Sequence, residues 1–184
     1  NIEVTDKLFL KKSFKKEMKK LIIESPLMDS INYKYSDLPF YIFKDYFERI
    51  NQKPFDTLVL NKIYKPLGLK RTLYNPRNSI PLNEIVPSEE DKYYRYNTLR
   101  GFVHDMGAAM QGGVGGHAGL FSNATEVGKI MQLYLNKGYI DGKQYFKADT
   151  FDKFNQCYYC DKGNRRGVGF DKPQLSGFGS TCGC

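Results

Sequence analysis

The residues able to carry chemistry sit in a few places along this chain. Tyr35-Ser36-Asp37 puts a phenol and a carboxylate just ahead of an apolar run. His104-Asp105 and His117 are the two histidines, the first with a carboxylate beside it. A serine triad would need a Gly-x-Ser-x-Gly elbow, which the chain lacks. A metal centre would need a third ligand at suitable spacing, and none announces itself, so no metal is expected. The plainer reading is a buried or loop-bracing role for each histidine, with His117, set among glycines, placed to line a cleft.

The glycine run itself, Gly112 to Gly119, fits a dinucleotide fingerprint in form over Gly113-Val114-Gly115-Gly116-His117-Ala118. Its context refuses that reading. No β-branched strand precedes the glycines, and Leu120-Phe121-Ser122 intervenes before the next helix. No Gly-Lys-Ser/Thr ending makes a phosphate loop either. Cys157-Tyr158-Tyr159-Cys160 and Cys182-Gly183-Cys184 form two close pairs, compatible with zinc, with disulfides in an oxidising compartment, or with free thiols.

These residues must be positioned by folded elements, and the composition supplies them. The chain has 184 residues, 41% hydrophobic and 15% aromatic, which suits a packed domain rather than a disordered one. No stretch approaches a membrane span. The net charge of +8 is concentrated between Lys7 and Lys20. Val4, Leu8, Phe14, Met18, Leu21 and Ile22 recur at helical steps there, so residues 1–24 are expected to form a basic amphipathic helix with lysines in water. Arginine-aromatic alternation and zinc-finger spacing are missing, which argues against a nucleic-acid partner.

Ser25-Pro26 breaks that helix, and a loop leads through Tyr35 into a second one. There Phe40, Ile42, Phe43, Tyr46, Phe47 and Ile50 predict a buried face, with Ser36 or Asp37 as the cap. Pro54-Phe55 opens a short helix with Leu58, Val59, Ile63 and Tyr64 inward, closed by Lys65-Pro66-Leu67-Gly68. Residues 74–96 read as a long ordered loop with room for short strands. Asn123 with Glu126 predicts a capping box for a helix that buries Val127, Ile130, Met131, Leu133, Tyr134 and Leu135 and ends at Gly138. Asp141-Gly142 reads as a tight turn before a short helix around Phe151.

The order of these pieces is specific. Tyr35-Ser36-Asp37-Leu38, then an apolar helix, then Ile63-Tyr64-Lys65-Pro66-Leu67-Gly68-Leu69-Lys70-Arg71-Thr72, then Gly112 to Ser122 resembles the β-lactamase and penicillin-binding-protein superfamily of serine hydrolases. The likeness runs from about Ser25 to Phe170 and is greatest to the class C β-lactamase and esterase branch. With His104-Asp105 before it, the glycine stretch is similar to enzymes often fused behind a glycoside hydrolase family 3 β-N-acetylglucosaminidase. The resemblance implies acyl transfer by three motifs: a Ser-x-x-Lys nucleophile, a tyrosine that shuttles the serine proton, and a Lys/His-Thr-Gly strand beside the oxyanion. It assigns Tyr35 to the tyrosine.

The chain departs from that pattern. It has no Lys-Thr-Gly or His-Thr-Gly, and its literal Ser-x-x-Lys, Ser13 to Lys16, lies in the basic segment too close to Tyr35. Asp37 replaces the usual Asn and adds negative charge that opposes phenolate formation. The expectation is therefore a single partial domain over residues 1–184. It is the mainly α section of an α+β fold of the serine β-lactamase/DD-peptidase type, with the flanking antiparallel sheet largely missing and no activity alone. Its parts are residues 1–24, 35–70, 112–138 and a cysteine-containing segment over 155–184. Tyr35 and Asp37 are the catalytic candidates, and Gly116 and His117 the substrate-binding ones. No cofactor is expected. The expected partners are a small-molecule or peptide substrate and the missing parts of the protein's own chain, in a periplasmic or extracytoplasmic setting. A non-catalytic cell-wall or protein-binding module is the alternative, and a basic nucleic-acid or anionic-surface binder a further one.

Overall fold

The structure is a computed structural model that describes residues 1–28 and 34–172. Asn32-Tyr33 and the pair Cys182 and Cys184 lie outside the described residues. The chain divides into two compact units, Asn1–Glu126 and Val127–Cys184. Among the described residues it mixes short helices with four two-stranded antiparallel sheets, so it is less purely helical than its sequence suggested.

The first unit opens with β1 (Ile2–Thr5) and β2 (Leu8–Leu10), which pair as a hairpin, and only then enters α1 (Phe14–Ile23). The expected helix over residues 1–24 is thus wrong in its first half. Ile2, Val4, Leu8 and Leu10 also alternate at period two, and Asp6-Lys7 makes the turn, with Lys7 at φ 62°. Val4 is 2% exposed and packs on Val103, Ala108 and Ala109, the centre of the unit's core. That contact is available to a strand side chain there and outweighs the helical spacing.

α2 (Leu38–Asn51) follows, then α3 (Phe55–Val59), which continues into a widened turn over Leu60–Tyr64 with Leu58 and Tyr64 buried. The 74–96 segment contains β3 (Leu73–Tyr74), two short 3-10 turns and β4 (Pro87–Asp91). β4 pairs with β5 (Asn97–Arg100), and α4 (Met106–Met110) leads to the glycine run. β6 (Leu120–Phe121) then returns to pair with β3.

α2 carries the main correction. Its period was read correctly and its face was not. Ile42, Phe43, Tyr46, Phe47 and Ile50 are exposed, and Lys44 is the buried residue of the helix. The side turned to the unit's interior is Asp37, Tyr41, Lys44 and Glu48, spaced by four, three and four residues. These polar groups have partners there: Glu48 Oε1 accepts from the Phe55 amide at 2.9 Å, and the Lys44 ammonium donates to the Val114 carbonyl at 2.5 Å. A buried polar group without such partners would cost about 1–3 kcal/mol, so hydrogen-bond satisfaction selects this face.

The second unit holds most of α5 (Ala124–Leu135), the β7 (Tyr139–Ile140) and β8 (Lys143–Gln144) hairpin, and α6 (Ala148–Asn155). Asp141 and Gly142, at φ 50° and 78°, form the expected turn. Of the apolar residues expected on the buried side of α5, Leu133 is buried, while Val127, Met131 and Leu135 are exposed. Tyr134 packs edge-on against Phe151 and also meets Phe170. Cys157 and Cys160 are joined by a disulfide. Among the described residues no helix is long and apolar enough to cross a membrane.

Candidate functional site

The site grows from the N-terminal end of α2. Tyr35 lies three residues before the helix and is 68% exposed. The Leu38 amide donates to the Ser36 hydroxyl at 3.2 Å, so Ser36 makes the capping contact. Asp37 occupies the cap position itself without a side-chain cap bond. Its carboxylate is thereby left for other partners.

Asp105 and His117 meet it from two other segments. Asp105 caps α4, accepting the Ala108 amide at 2.6 Å, and its Oδ1 lies 2.8 Å from His117 Nε2. One donor atom from each of Asp37, Asp105 and His117 lies within 4.8 Å of the other two. Burial would push the Asp105 pKa up, but the Ala108 amide and the His117 ring outweigh it and hold that carboxyl below its ordinary range. The His117 side chain is 5% exposed, and its Nδ1 has no hydrogen-bond partner among the described residues. Its ring stands edge-on to Tyr41 with centroids 4.6 Å apart. Burial, then the charges of Asp105 and Asp37, push the Tyr41 phenol up to about 12, so it stays protonated and a donor near neutral pH.

Several contacts hold this arrangement. Arg95 is buried, pairs with Asp91 at 2.7 Å and donates to the Val103 and His104 carbonyls, which fixes the strand leading into Asp105. Three carbonyls of the glycine run are taken up by side chains: Gly112 by Asn75 at 3.0 Å, Val114 by Lys44, and Gly115 by Tyr74 at 3.1 Å. Gly116 lies against the backbone of α2, where a Cβ would run into the Phe40 carbonyl. Gly107 has the Tyr41 hydroxyl in the space a Cβ would take. The missing side chains are what let three segments converge.

Two further features frame the region. A groove of about 500 Å³ runs between α1 and α2, with Met18, Ile22 and Ile42 on its walls and Tyr41, Lys44 and Gln111 also lining it. Glu126 accepts the Lys70 and Arg71 amides at 2.8 and 3.0 Å and the Thr72 hydroxyl at 2.6 Å. Asn123 does cap α5, accepting the Glu126 amide at 2.9 Å, but the Glu126 carboxylate serves β3's approach instead of closing a box.

The structure therefore brings Asp37 and His117 together, sets Gly116 beside them and leaves Tyr35 exposed two residues from Asp37. Sequence reasoning missed Asp105 as the partner of His117, and it missed Tyr41 and Lys44 as inward residues. The separation of twelve residues between Asp105 and His117 follows no local rule, whereas the 37, 41, 44, 48 spacing was a readable signal.

Comparison with known proteins gives the family of the chain. The chain belongs to the beta-lactamase family, whose model matches residues 9–174. It is 36% identical over 132 residues to a Bacillus subtilis (strain 168) protein named "N-acetylmuramyl-L-alanine amidase", covering 65% of this chain and 30% of that protein. It is 36% identical over 132 residues to an Escherichia coli (strain K12) protein named "Putative D-alanyl-D-alanine carboxypeptidase", with the same coverage. A Salmonella agona (strain SL483) protein of that name is 37% identical over 134 residues, covering 66% and 31%. The chain thus spans less than a third of the length of these relatives.

Proposed function

We propose that this chain is the tyrosine-bearing section of an extracytoplasmic serine hydrolase that attacks a carbonyl carbon of cell-wall peptides and breaks its bond to the leaving group. The serine and its lysine are supplied from outside residues 1–184. Tyr35 takes the proton from the attacking serine hydroxyl and returns it to the leaving group, while the serine oxygen forms an ester with the substrate acyl carbon. Asp37 sets the charge beside that phenol. Gly116 and His117 brace the wall of the cleft. The observation that carries the reading is Tyr35 itself, exposed at the head of a helix the glycine run holds in place. The relatives' names support a peptidoglycan substrate, and the Cys157–Cys160 disulfide supports an oxidising compartment. The finer reading is the class C and esterase branch, of the kind fused to a family 3 β-N-acetylglucosaminidase.

The test uses the full-length protein. A fluorescent β-lactam or a fluorophosphonate is expected to label it covalently, and Tyr35→Phe is expected to slow labelling by about a hundredfold or more. Incubation with muropeptides then separates D-alanine release from cleavage next to the sugar. Labelling that proceeds at the same rate in Tyr35→Phe removes the proposed role. Tight muropeptide binding without turnover or labelling favours the non-catalytic module.

A further inference from the structure

We propose that the lysine face formed by the N-terminal hairpin and α1 is a docking surface for a membrane that bears anionic phospholipids. Docking there does not depend on turnover, so this surface and the serine-hydrolase reading stand or fall separately.

The placement of charge gives the first argument. Lys7 occupies the turn of the β1 and β2 hairpin, and Lys11 and Lys12 lead out of β2 toward the helix. In α1, Lys15, Lys16, Lys19 and Lys20 fall at i, i+1, i+4 and i+5 and share one face, while Phe14, Met18 and Ile22 hold the other. All of these lysines are exposed, and Glu17 is the one acid between residues 7 and 20. Lys19 pairs with Asp45 and Lys20 with Glu24, whereas among the described residues Lys7, Lys11, Lys12, Lys15 and Lys16 form no ion pair.

Helix physics gives the second. Lys15 and Lys16 lie in the first turn of α1, where the aligned peptide dipoles already present positive charge, and Lys11 and Lys12 stand just ahead of it. Lys15 with Lys19, and Lys16 with Lys20, are like charges one turn apart, which weakens a helix. A face that served only solubility would intersperse acids among its cations and keep lysines from that end. An anionic surface turns both repulsions into attraction, with each lysine beside it strengthening binding about fivefold.

The third observation is independent of charge. Ile23 falls on the lysine face, three and four residues beyond Lys20 and Lys19, and is 66% exposed; Leu27, just past the helix, is 94% exposed. Aliphatic side chains beside lysines enter the boundary between headgroups and acyl chains, and the long lysine stems keep their ammonium groups at the phosphates. A nucleic acid would call for aromatic platforms there, and lysine lacks the planar fork with which arginine reads particular phosphates.

The experiment is co-sedimentation of the full-length protein with vesicles of phosphatidylglycerol mixed into phosphatidylcholine, against vesicles of phosphatidylcholine alone. Binding is expected on the anionic vesicles only, and is expected to fall steeply as NaCl is raised. Replacing Lys11, Lys12, Lys15 and Lys16 together by Gln is expected to weaken it by about a hundredfold or more. Tm should stay the same or rise in that variant, since like-charge neighbours are removed. Ile23→Ser combined with Leu27→Ser, at two exposed positions, is expected to weaken vesicle binding by about tenfold. Vesicle binding that the lysine replacements leave unchanged, equal binding to both kinds of vesicle, or no binding to either overturns the proposal. So does tighter binding to soluble poly(glycerol phosphate) or duplex DNA with no loss in the Ile23 and Leu27 variant, which would assign the lysines to a soluble polyanion.

Discussion

Nε2 of His117 lies 2.8 Å from Oδ1 of Asp105, twelve residues earlier, and so ties the glycine run to the cap of α4. The same Oδ1 accepts the Ala108 amide, which makes Asp105 both cap and anchor.

Removing either partner should therefore loosen α4 as well as the loop. A hydrogen bond to a charged group contributes about 1.5–3 kcal/mol, and the edge-on contact with Tyr41 adds about 0.5–1.5. His117→Ala is expected to lower stability by about 2–4 kcal/mol in urea melts. Asp105→Asn keeps an acceptor for the Ala108 amide and should cost about 1 kcal/mol less than Asp105→Ala, which also loses the cap. Equal losses in the two Asp105 variants would mean the cap contributes nothing.

Gly116 tests the close approach of loop and helix. Because a Cβ there meets the Phe40 carbonyl, Gly116→Ala must displace backbone, with a cost of about 1–3 kcal/mol. Gly128, inside α5, has open space around it, and Gly128→Ala should stabilise by about 0.5–1 kcal/mol through helix propensity. Thermal melts of the pair separate a steric effect from a general intolerance of alanine. A stabilised Gly116→Ala would show that the loop stands further from α2.

How much of this was readable from the residues depends on how local the deciding force was. Asn123 as a cap and Asp141-Gly142 as a turn follow from groups a few residues apart, and both were legible. The position of α2 was legible too, since its period is intrinsic to the sequence. Its orientation was not, because it depends on the Val114 carbonyl seventy residues away finding the Lys44 ammonium. The N-terminal hairpin was missed for a related reason: Val4 fits either period, and its packing on Val103 and Ala108 decides. At the site, the types of Asp37 and His117 were noticed, but their meeting through Asp105 is a tertiary event.

Asp91 governs the acid limit of the first unit. Burial would raise its pKa, yet the amides of Tyr94 and Tyr93 and the Arg95 guanidinium outweigh that and hold it well below the carboxylate range. With the folded value depressed, the unfolded state binds more protons below about pH 4, so this stabilisation is complete above that pH and fades as pH falls. Urea melts from pH 6 to pH 3 should show the decline. Asp91→Ala, which leaves the Arg95 charge buried and unpaired, is expected to cost about 3–5 kcal/mol at pH 7 and to flatten that decline. An unchanged slope in the variant would assign the acid sensitivity to other carboxylates such as Glu126.

Lys44 should give a second pH dependence, of the same sign, at the alkaline end. It is buried, and burial pushes its ammonium pKa down from the ordinary lysine value, with the nearby Glu48 opposing that and Lys15 adding to it. Between the lowered folded value and the unfolded value of about 10.4, the unfolded chain binds more protons, so stability from this group rises with pH across that window. Lys44→Met removes both the cost of burying charge and the hydrogen bond to Val114, effects that nearly cancel, so at pH 7 the change should stay within about 1 kcal/mol. At pH 10 the wild type should have gained on the variant. Urea midpoints of the two proteins at pH 7, 8.5 and 10 measure the gap. A gap that stays constant would place the ammonium in water, and the inward face of α2 would then have to be redrawn.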